Sequence, residues 1–126
     1  MMKRTPGNFA DSLSDFKNSM IVKVFEMKAQ FTKKHPVPND AEWDALVNQF
    51  HTDMPSTYQF LNDVKKLSLL ELYTCILLIL DFEESAIVGL TQSSSSAISI
   101  AKSRANSKLF HETSARNLKY NLKTLL

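Results

Sequence analysis

The predicted fold rests on residues 83–110, which read EESAIVGLTQSSSSAISIAKSRANSKLF. Ile87 and Leu90 share one face of a short predicted helix over residues 83–90, and the polar letters TQSS that follow predict a turn. A longer helix is predicted over residues 95–109. A short helix, a tight turn and a longer helix that carries basic residues are typical of the helix-turn-helix arrangement.

The longer predicted helix has two unlike faces. One face is a buried stripe whose members recur at helical spacing: Ile98, Ala101, Ala105 and Leu109. The other face carries mostly small polar groups: Ser95, Ser96, Ser99, Ile100, Lys102, Ser103 and Asn106. Hydroxyl and amide groups bind phosphates or base edges, and an isoleucine suits a thymine methyl group. An ordinary amphipathic surface helix explains the same pattern, so the residues alone leave both interpretations open.

The rest of the chain predicts further helices. The 126 residues include two glycines and four prolines, so long stretches lack the residues that end helices. Asn39 is a good N-terminal cap for one helix, and Ser68 with Glu71 forms a capping-box pattern at the start of another. Shorter helices are predicted over residues 55–63 and 113–125. The predicted class is an all-α protein.

Residues 8–34 predict one long amphipathic helix. Its apolar positions form a single stripe over several turns: Phe9, Leu13, Phe16, Met20, Val24, Met27 and Phe31. A helix of this length is about 40 Å long, which is more than a four-helix core requires. An exposed stripe of this size usually marks an interface, which predicts a homodimer built mainly by this helix. The alternative is that the helix folds back over the core of its own chain.

Charge is distributed unevenly along the chain. The whole chain has a formal net charge of +2, but residues 95–126 contain six basic residues and one acidic residue and therefore carry +5. The remainder carries −3. A basic C-terminal quarter is a candidate surface for an anionic partner, although a solvated helix face gives the same count.

The sequence does not support a catalytic or metal site. Cys75 is the single cysteine, and His35, His51 and His111 lie far apart with no second ligand at metal-binding spacing. No glycine-rich phosphate loop or nucleophile motif is present. We therefore expect no enzymatic activity, no cofactor and no metal.

The sequence predicts a cytoplasmic protein with no membrane partner. The most apolar run, residues 67–80, contains Glu71 and is shorter than the roughly 20 apolar residues that span a bilayer. The first letters, MMKRTPGNFADS, lack the apolar stretch of a secretory signal. A lone cysteine fits a reducing compartment.

Residues 43–110 resemble the C-terminal helix-turn-helix domain of LuxR/NarL-type bacterial regulators. The opening Leu-Thr-x-x-Glu of that domain appears here as Leu-Ser-Leu-Leu-Glu, residues 67–71. The segment AISIAKSRANSKLF, residues 97–110, is similar to the recognition-helix signature. Its matching positions are Ala97, Ile98, Ala101, Arg104, Lys108, Leu109 and Phe110. The resemblance covers just over half of the chain.

The resemblance implies a DNA-binding regulator of transcription. The chain is then predicted to consist of an N-terminal helical segment, residues 1–38, which lies outside the resembling region, and a tetrahelical helix-turn-helix domain over residues 39–126. Duplex DNA is the implied partner, bound by a homodimer on paired half-sites. An upstream regulatory protein is a further candidate partner, because the sequence contains no sensor domain that would supply an activating signal.

The resemblance also assigns positions on the recognition helix. It places three side chains towards the major groove: Ser99, Ile100 and Ser103. It places Lys102 and the serines of residues 94–96 near phosphates. The family often has basic residues where this chain has Ser99 and Ser103, and a large apolar residue where it has Ala105. The alternative function is therefore a helical interaction or oligomerisation module whose helix-turn-helix has lost DNA binding.

Overall fold

The computed structural model describes residues 9–30, 37–64 and 67–125. Within these residues the chain is all-helical, which confirms the predicted class. This part of the chain contains eight α-helices: α1 (Phe9–Lys17), α2 (Met20–Gln30), α3 (Asp40–Asp53), α4 (Pro55–Gln59), α5 (Leu69–Ile79), α6 (Glu84–Thr91), α7 (Ser95–Phe110) and α8 (Leu118–Lys123). A π-helical turn over Phe60–Val64 continues α4.

Helix α5 lies at the centre of the hydrophobic core. Its residues 74–79 are all buried, and α6, α7 and α8 pack against it. A helix that is apolar on every side is stable only when other elements cover all of its faces. The same core continues through Leu46 and Phe50 of α3 and through Leu61 after α4, each of them fully buried.

Two helices begin at the predicted capping patterns. Asn39 Oδ1 accepts a hydrogen bond from Glu42 N at 2.8 Å, and Glu42 Oε1 accepts one from Asn39 N at 3.0 Å. Ser68 and Glu71 form the same reciprocal pair at the start of α5, at 3.2 and 3.1 Å. These side chains satisfy backbone N–H groups that have no partner within the helix. Both predicted caps are confirmed.

The prediction of a single helix over residues 8–34 is wrong, because the helix is interrupted at residues 18–19. The Ser19 hydroxyl donates a hydrogen bond to the carbonyl of Phe16 at 2.7 Å. Ser19 O then accepts from Lys23 N at 3.2 Å and so starts the ladder of α2. Serine favours a helix boundary because its side chain offers the backbone a local alternative to the helical hydrogen bond.

The interruption changes which side chains face the core. Phe16 of α1 and Phe25 of α2 are fully buried, and Val22 is 1% exposed. Met20, a member of the predicted stripe, is instead 81% exposed. Phe31 and the predicted helix end beyond it lie outside the described residues. The register of the stripe after residue 19 was therefore predicted wrongly.

Helices α1 and α2 fold back over the core of their own chain. The ring of Phe16 lies 5.4 Å from that of Phe50, and the ring of Phe25 meets Trp43 edge-on at 4.8 Å between centroids. The described part of this segment thus matches the fold-back alternative. Phe16 of the predicted stripe is buried within the chain, whereas Met20 and Met27 of the same stripe are exposed. The homodimer itself stays a prediction.

The last helix is shorter than the prediction of residues 113–125. It begins only at Leu118, after an irregular loop. The side-chain amide of Asn106 in α7 donates to Ser114 O at 2.6 Å, so this loop carbonyl is held by α7 and not by a helical ladder. A carbonyl bound in this way marks the loop as part of the packing between α7 and α8.

Candidate nucleic-acid interface

Local signals delimit helix α7 at both ends. Ser94 Oγ accepts a hydrogen bond from Ala97 N at 3.0 Å and caps the N-terminus. His111 ends the helix in the left-handed region with a φ of 60°. Residues 92–94 connect α6 to α7, and Gln92 is also left-handed with a φ of 55°. The observed order is a short helix, a three-residue connection and a helix of 16 residues.

The predicted buried stripe of α7 is confirmed. Ile98 and Ala105 are 0% exposed, Ala101 is 4% exposed and Leu109 is 7% exposed. The distance between packed helices depends on the side chains at the contact. Two alanines in the stripe therefore let α7 lie close to α5, against which it packs.

The exposed side of α7 holds four of the seven predicted contact residues: Ser95, Ser96, Ser99 and Ile100. Ile100 is 51% exposed, and an aliphatic group open to solvent among serines is a candidate contact for a thymine methyl group. Lys102 is partly buried, and its ammonium lies 3.8 Å from a carboxylate oxygen of Glu84. The Ser103 hydroxyl donates to Thr113 O at 2.7 Å, which turns it towards the loop after α7.

The prediction that Asn106 belongs to the DNA-facing side is wrong. The residue is 0% exposed. Its Nδ2 donates to Ser114 O at 2.6 Å and to Glu112 Oε2 at 3.2 Å, and its Oδ1 accepts from Asn121 Nδ2 at 2.9 Å. Polar side chains that are buried are normally hydrogen-bonded in this way. Asn106 therefore joins α7 to α8, a role that helical periodicity does not reveal because it treats a polar residue as solvent-facing.

Most basic residues of the C-terminal quarter are paired with acidic residues. The pairs are Lys102–Glu84, Lys108–Glu71, Lys119–Asp81 and Lys123–Asp81. Arg104 and Arg116 are exposed, and neither has a carboxylate partner among the described residues. Nearby opposite charges reduce the field at a distant anion. The charge of +5 counted along residues 95–126 is therefore compensated in large part by carboxylates from earlier in the chain.

Glu71 positions α7, a role that no pattern in the sequence indicates. Its carboxylate is buried with 5% of the side chain exposed, and it accepts hydrogen bonds from Ser68 N and, at 2.6 Å, from Lys108 Nζ. A buried charge is tolerated when it is paired and hydrogen-bonded. One carboxylate thus caps α5 and holds the C-terminal half of α7. The capping pattern signals the first role, but the second joins residues 37 positions apart.

A small groove lies between the start of α5 and the exposed side of α7. Its volume is about 240 Å³, and it is lined by Ser68, Leu70, Glu71, Ala97, Ile100, Ala101 and Arg104. Pockets for drug-sized ligands usually measure about 300–1,000 Å³. The groove therefore fits a single side chain better than a small-molecule substrate.

Metal binding and the single cysteine are the features that bear on chemistry in the described residues. Within residues 9–30, 37–64 and 67–125, no group of three or more His, Cys, Asp or Glu side chains is placed to hold a metal ion. Burial raises the pKa of the Cys75 thiol far above its ordinary value, and the nearby charge of Glu71 adds to this. A thiol that stays protonated is a poor nucleophile.

Comparisons with known proteins find no relative. No protein-family model, no curated protein and no solved structure matches the chain. The resemblance to LuxR/NarL-type domains therefore rests on the residues quoted for it. In the part of the chain that the structure describes, no helix is long and apolar enough to cross a membrane.

Proposed function

We propose that the chain is a non-catalytic DNA-binding regulator of transcription whose helix α7 enters the major groove of duplex DNA. The observation that carries the proposal is the open face of the first half of α7, where Ser95, Ser96 and Ser99 stand beside Ile100. The major groove admits an α-helix, and the N-terminal residues of a recognition helix contact the base edges. The element order of α6, short connection and α7 is the order that helix-turn-helix proteins use.

The proposal is further supported by how firmly α7 is held. Its second half is anchored by the Lys108–Glu71 ion pair and by the buried amide of Asn106. Specific recognition requires side chains on a rigid support, because small displacements break contacts with base edges. The anchors lie in one half of the helix and the open face in the other, so binding need not disturb the packing.

The ion pairs limit how many basic residues are free to contact DNA phosphates, and so they determine the expected electrostatic contribution to DNA binding. Arg104 and Arg116 are exposed without a carboxylate partner among the described residues, and Lys102 is only loosely paired at 3.8 Å. Each phosphate contact adds about −0.9 to the slope of log affinity against log salt concentration. We therefore expect each bound chain to contribute a slope of about −2 to −3, which is shallower than six free basic residues would give.

Fluorescence anisotropy with a random-sequence duplex at several salt concentrations tests this proposal. Arg104→Ala should make the slope shallower by about one unit for each bound chain and weaken binding to all sequences alike. Lys23→Ala is a matched control, since it removes an exposed lysine that pairs with Glu26 on α2. The control should leave the slope unchanged. A wild-type slope near zero would overturn DNA binding.

A second arm tests the contact between Ile100 and a base. Duplexes enriched by binding to the wild-type chain are prepared with uracil in place of thymine, which removes only the methyl group. The wild-type chain should lose affinity for the uracil duplexes, whereas Ile100→Ala should bind both forms equally because the apolar contact is already absent. Equal discrimination by both proteins would remove Ile100 from the base contacts.

A homodimer on paired half-sites is part of the proposal, since helix-turn-helix proteins commonly read two half-sites with two-fold symmetry. Its interface would lie outside the buried aromatic face of α1 and α2, which covers the core of the same chain. Sedimentation of the full chain on the enriched duplexes measures the stoichiometry. One chain on every duplex would contradict the dimer.

The second candidate function is a helical protein-interaction module. Two observations favour it: four of the six C-terminal basic residues are paired with carboxylates, and Ile100 stands exposed at the groove between α5 and α7. Such a surface suits an apolar side chain of a protein partner. The anisotropy titration separates the two functions, because only the DNA-binding regulator gives a salt-dependent slope.

A further inference from the structure

Three lysines from opposite ends of the chain converge on Asp81, in the turn between α5 and α6. Lys17 of α1 binds one carboxylate oxygen, Oδ2. Lys119 and Lys123 of α8 bind the other, Oδ1, at 3.2 and 3.1 Å. We call these four residues the lysine cluster. Because Lys119 and Lys123 share one oxygen atom, their ammonium groups lie close to each other.

The lysine cluster carries more positive charge than Asp81 neutralises. Three ammonium groups and one carboxylate leave a net charge of +2. Each ammonium has three N–H donors, so six donors remain besides the three that bind Asp81. The lysine side chains are 37%, 48% and 28% exposed, which leaves the cluster accessible to a ligand.

We propose that the lysine cluster binds a phosphate dianion, either inorganic phosphate or the terminal phosphate of a phosphomonoester. Its net charge of +2 matches the charge of a phosphate dianion, and its remaining N–H donors match the acceptor oxygens. The adjoining cavity of about 710 Å³ is lined by Glu26 and Glu83 as well as Asp81. Those carboxylates repel an anion, so the phosphate binds on the lysines and not within that cavity.

Asp81 both assembles the cluster and competes with the ligand. Without a carboxylate between them, the three ammonium groups would repel one another. The Asp81 carboxylate holds the three ammonium groups together before a ligand binds, but it also neutralises one of their positive charges. Asp81 has a φ of 69°, a left-handed conformation that asparagine also tolerates well. Asp81→Asn therefore removes the competing charge but keeps the backbone and a side-chain oxygen that can still accept hydrogen bonds from the lysines.

The test is a titration of the full chain, followed by amide and lysine NMR signals at constant ionic strength. The probes are inorganic phosphate, adenosine 5′-monophosphate and adenosine. Both phosphates should bind at the cluster and adenosine should not. Binding of inorganic phosphate identifies the free ion as sufficient, whereas binding of adenosine 5′-monophosphate alone identifies a phosphomonoester.

The variants are expected to move the affinity in opposite directions. Lys119→Gln and Lys123→Gln should each weaken phosphate binding roughly three- to tenfold, since each removes one charged donor. Asp81→Asn should tighten it by a similar factor. Lys23→Gln, which removes a lysine paired with Glu26 on α2, is the matched control and should leave the affinity unchanged.

Several results would overturn the phosphate site. If adenosine binds with the same affinity as adenosine 5′-monophosphate, the nucleoside is recognised and the phosphate is not. Equal signal shifts from phosphate and from chloride, titrated as a control anion at the same ionic strength, would show that any anion has the same effect. Weaker phosphate binding by folded Asp81→Asn would show that the cluster is only structural. Should that variant fail to fold, unchanged affinity in both lysine variants would overturn the site. Loss of DNA binding through α7 would leave this result untouched, because no α7 residue takes part.

Discussion

Helices α1–α2 and helices α5–α7 both pack apolar side chains into the core, yet their ends were predictable to different degrees. In α5–α7 a capping box and a polar turn mark the ends: α5 begins directly after the predicted cap at Ser68, and the bounds of α6 and α7 lie within one residue of the predicted ones. Residues 8–30 contain no proline or glycine, so periodicity predicted one helix where there are two. A capping box and a polar turn mark helix ends in a sequence, whereas a single serine such as Ser19 ends a helix only where packing favours the interruption.

The interruption in α1–α2 has a packing reason. A straight helix of about 40 Å overruns a core of this size. Two shorter helices allow both aromatic side chains to contact α3. Phe16 packs against Phe50, and Phe25 packs against Trp43. Each aromatic pair buries a large apolar area and gains from ring geometry. The comparison therefore predicts that the buried aromatic side chains of α1 and α2 each contribute to stability as core residues, although no sequence signal marks where these helices end.

The largest expected effect is the loss of stability in Phe16→Ala, and its absence would contradict the comparison. Phe16→Ala should lower the free energy of unfolding by about 3–5 kcal/mol, because a fully buried aromatic side chain leaves a cavity. Met20→Ala is the control from the same predicted stripe. At 81% exposure it should change stability by no more than about 0.5 kcal/mol. Urea unfolding followed by circular dichroism measures both, and equal small effects would detach α1 from the core.

A second variant sharpens the comparison within α7. Asn106→Ala should lower the free energy of unfolding by about 1–3 kcal/mol, because it removes a buried amide that hydrogen-bonds Ser114 O and the side chain of Asn121. Ser99→Ala, on the exposed side of the same helix, should change stability by no more than about 0.5 kcal/mol. A folded Asn106→Ala chain should keep the DNA sequence preference of the wild type. A stable Asn106→Ala chain with altered preference would restore Asn106 to the interface.

A smaller effect concerns pH and the link between the two regions, since Lys17 of α1 binds Asp81. Partial burial of Asp81 opposes its ionisation, but hydrogen bonds from Lys17, Lys123 and Lys119 outweigh burial and hold its pKa well below the ordinary value. A carboxyl with a lowered folded-state pKa stabilises the fold above its unfolded pKa of about 4, and this stability is lost as pH falls further.

Unfolding in urea between pH 7 and pH 2, for the wild type and Asp81→Asn, measures this contribution. Exposure of 41% and screening by salt keep it on the order of 1 kcal/mol or less. The difference in unfolding free energy between the two proteins should be constant above about pH 5 and should shift in favour of Asp81→Asn as pH falls below 4. A difference independent of pH would show that the lysines do not lower the pKa.

The smallest effect lies at the centre of α5. Thr74 is fully buried, and its hydroxyl is a side-chain oxygen without a hydrogen-bond partner in the described residues. Thr74→Val removes that unsatisfied group at nearly constant shape, so stability should stay within about 0.5 kcal/mol or rise. Thr74→Ser keeps the hydroxyl and loses a methyl group, which should cost about 1 kcal/mol. A costly Thr74→Val and a neutral Thr74→Ser would show that the hydroxyl has a partner.

The candidate interface was predictable in part. The buried stripe of α7 and the open positions of Ser95, Ser96, Ser99 and Ile100 agree with helical periodicity. The environments of Lys102, Ser103 and Asn106 do not, because each side chain meets a residue from another element. Periodicity assigns a side chain to a face of its own helix and contains no information about what that face meets.

The amino-acid sequence by itself determined the all-α class, the caps at Asn39 and Ser68 and the buried side of α7, because each depends on residues within a few turns of one another. Only the tertiary structure decided where α1 ends, which basic residues stay unpaired and which polar residue is buried. Lys108 meets Glu71 across 37 positions, and Lys17 meets Asp81 across 64. Contacts of that range arise when the core closes, and no local pattern encodes them.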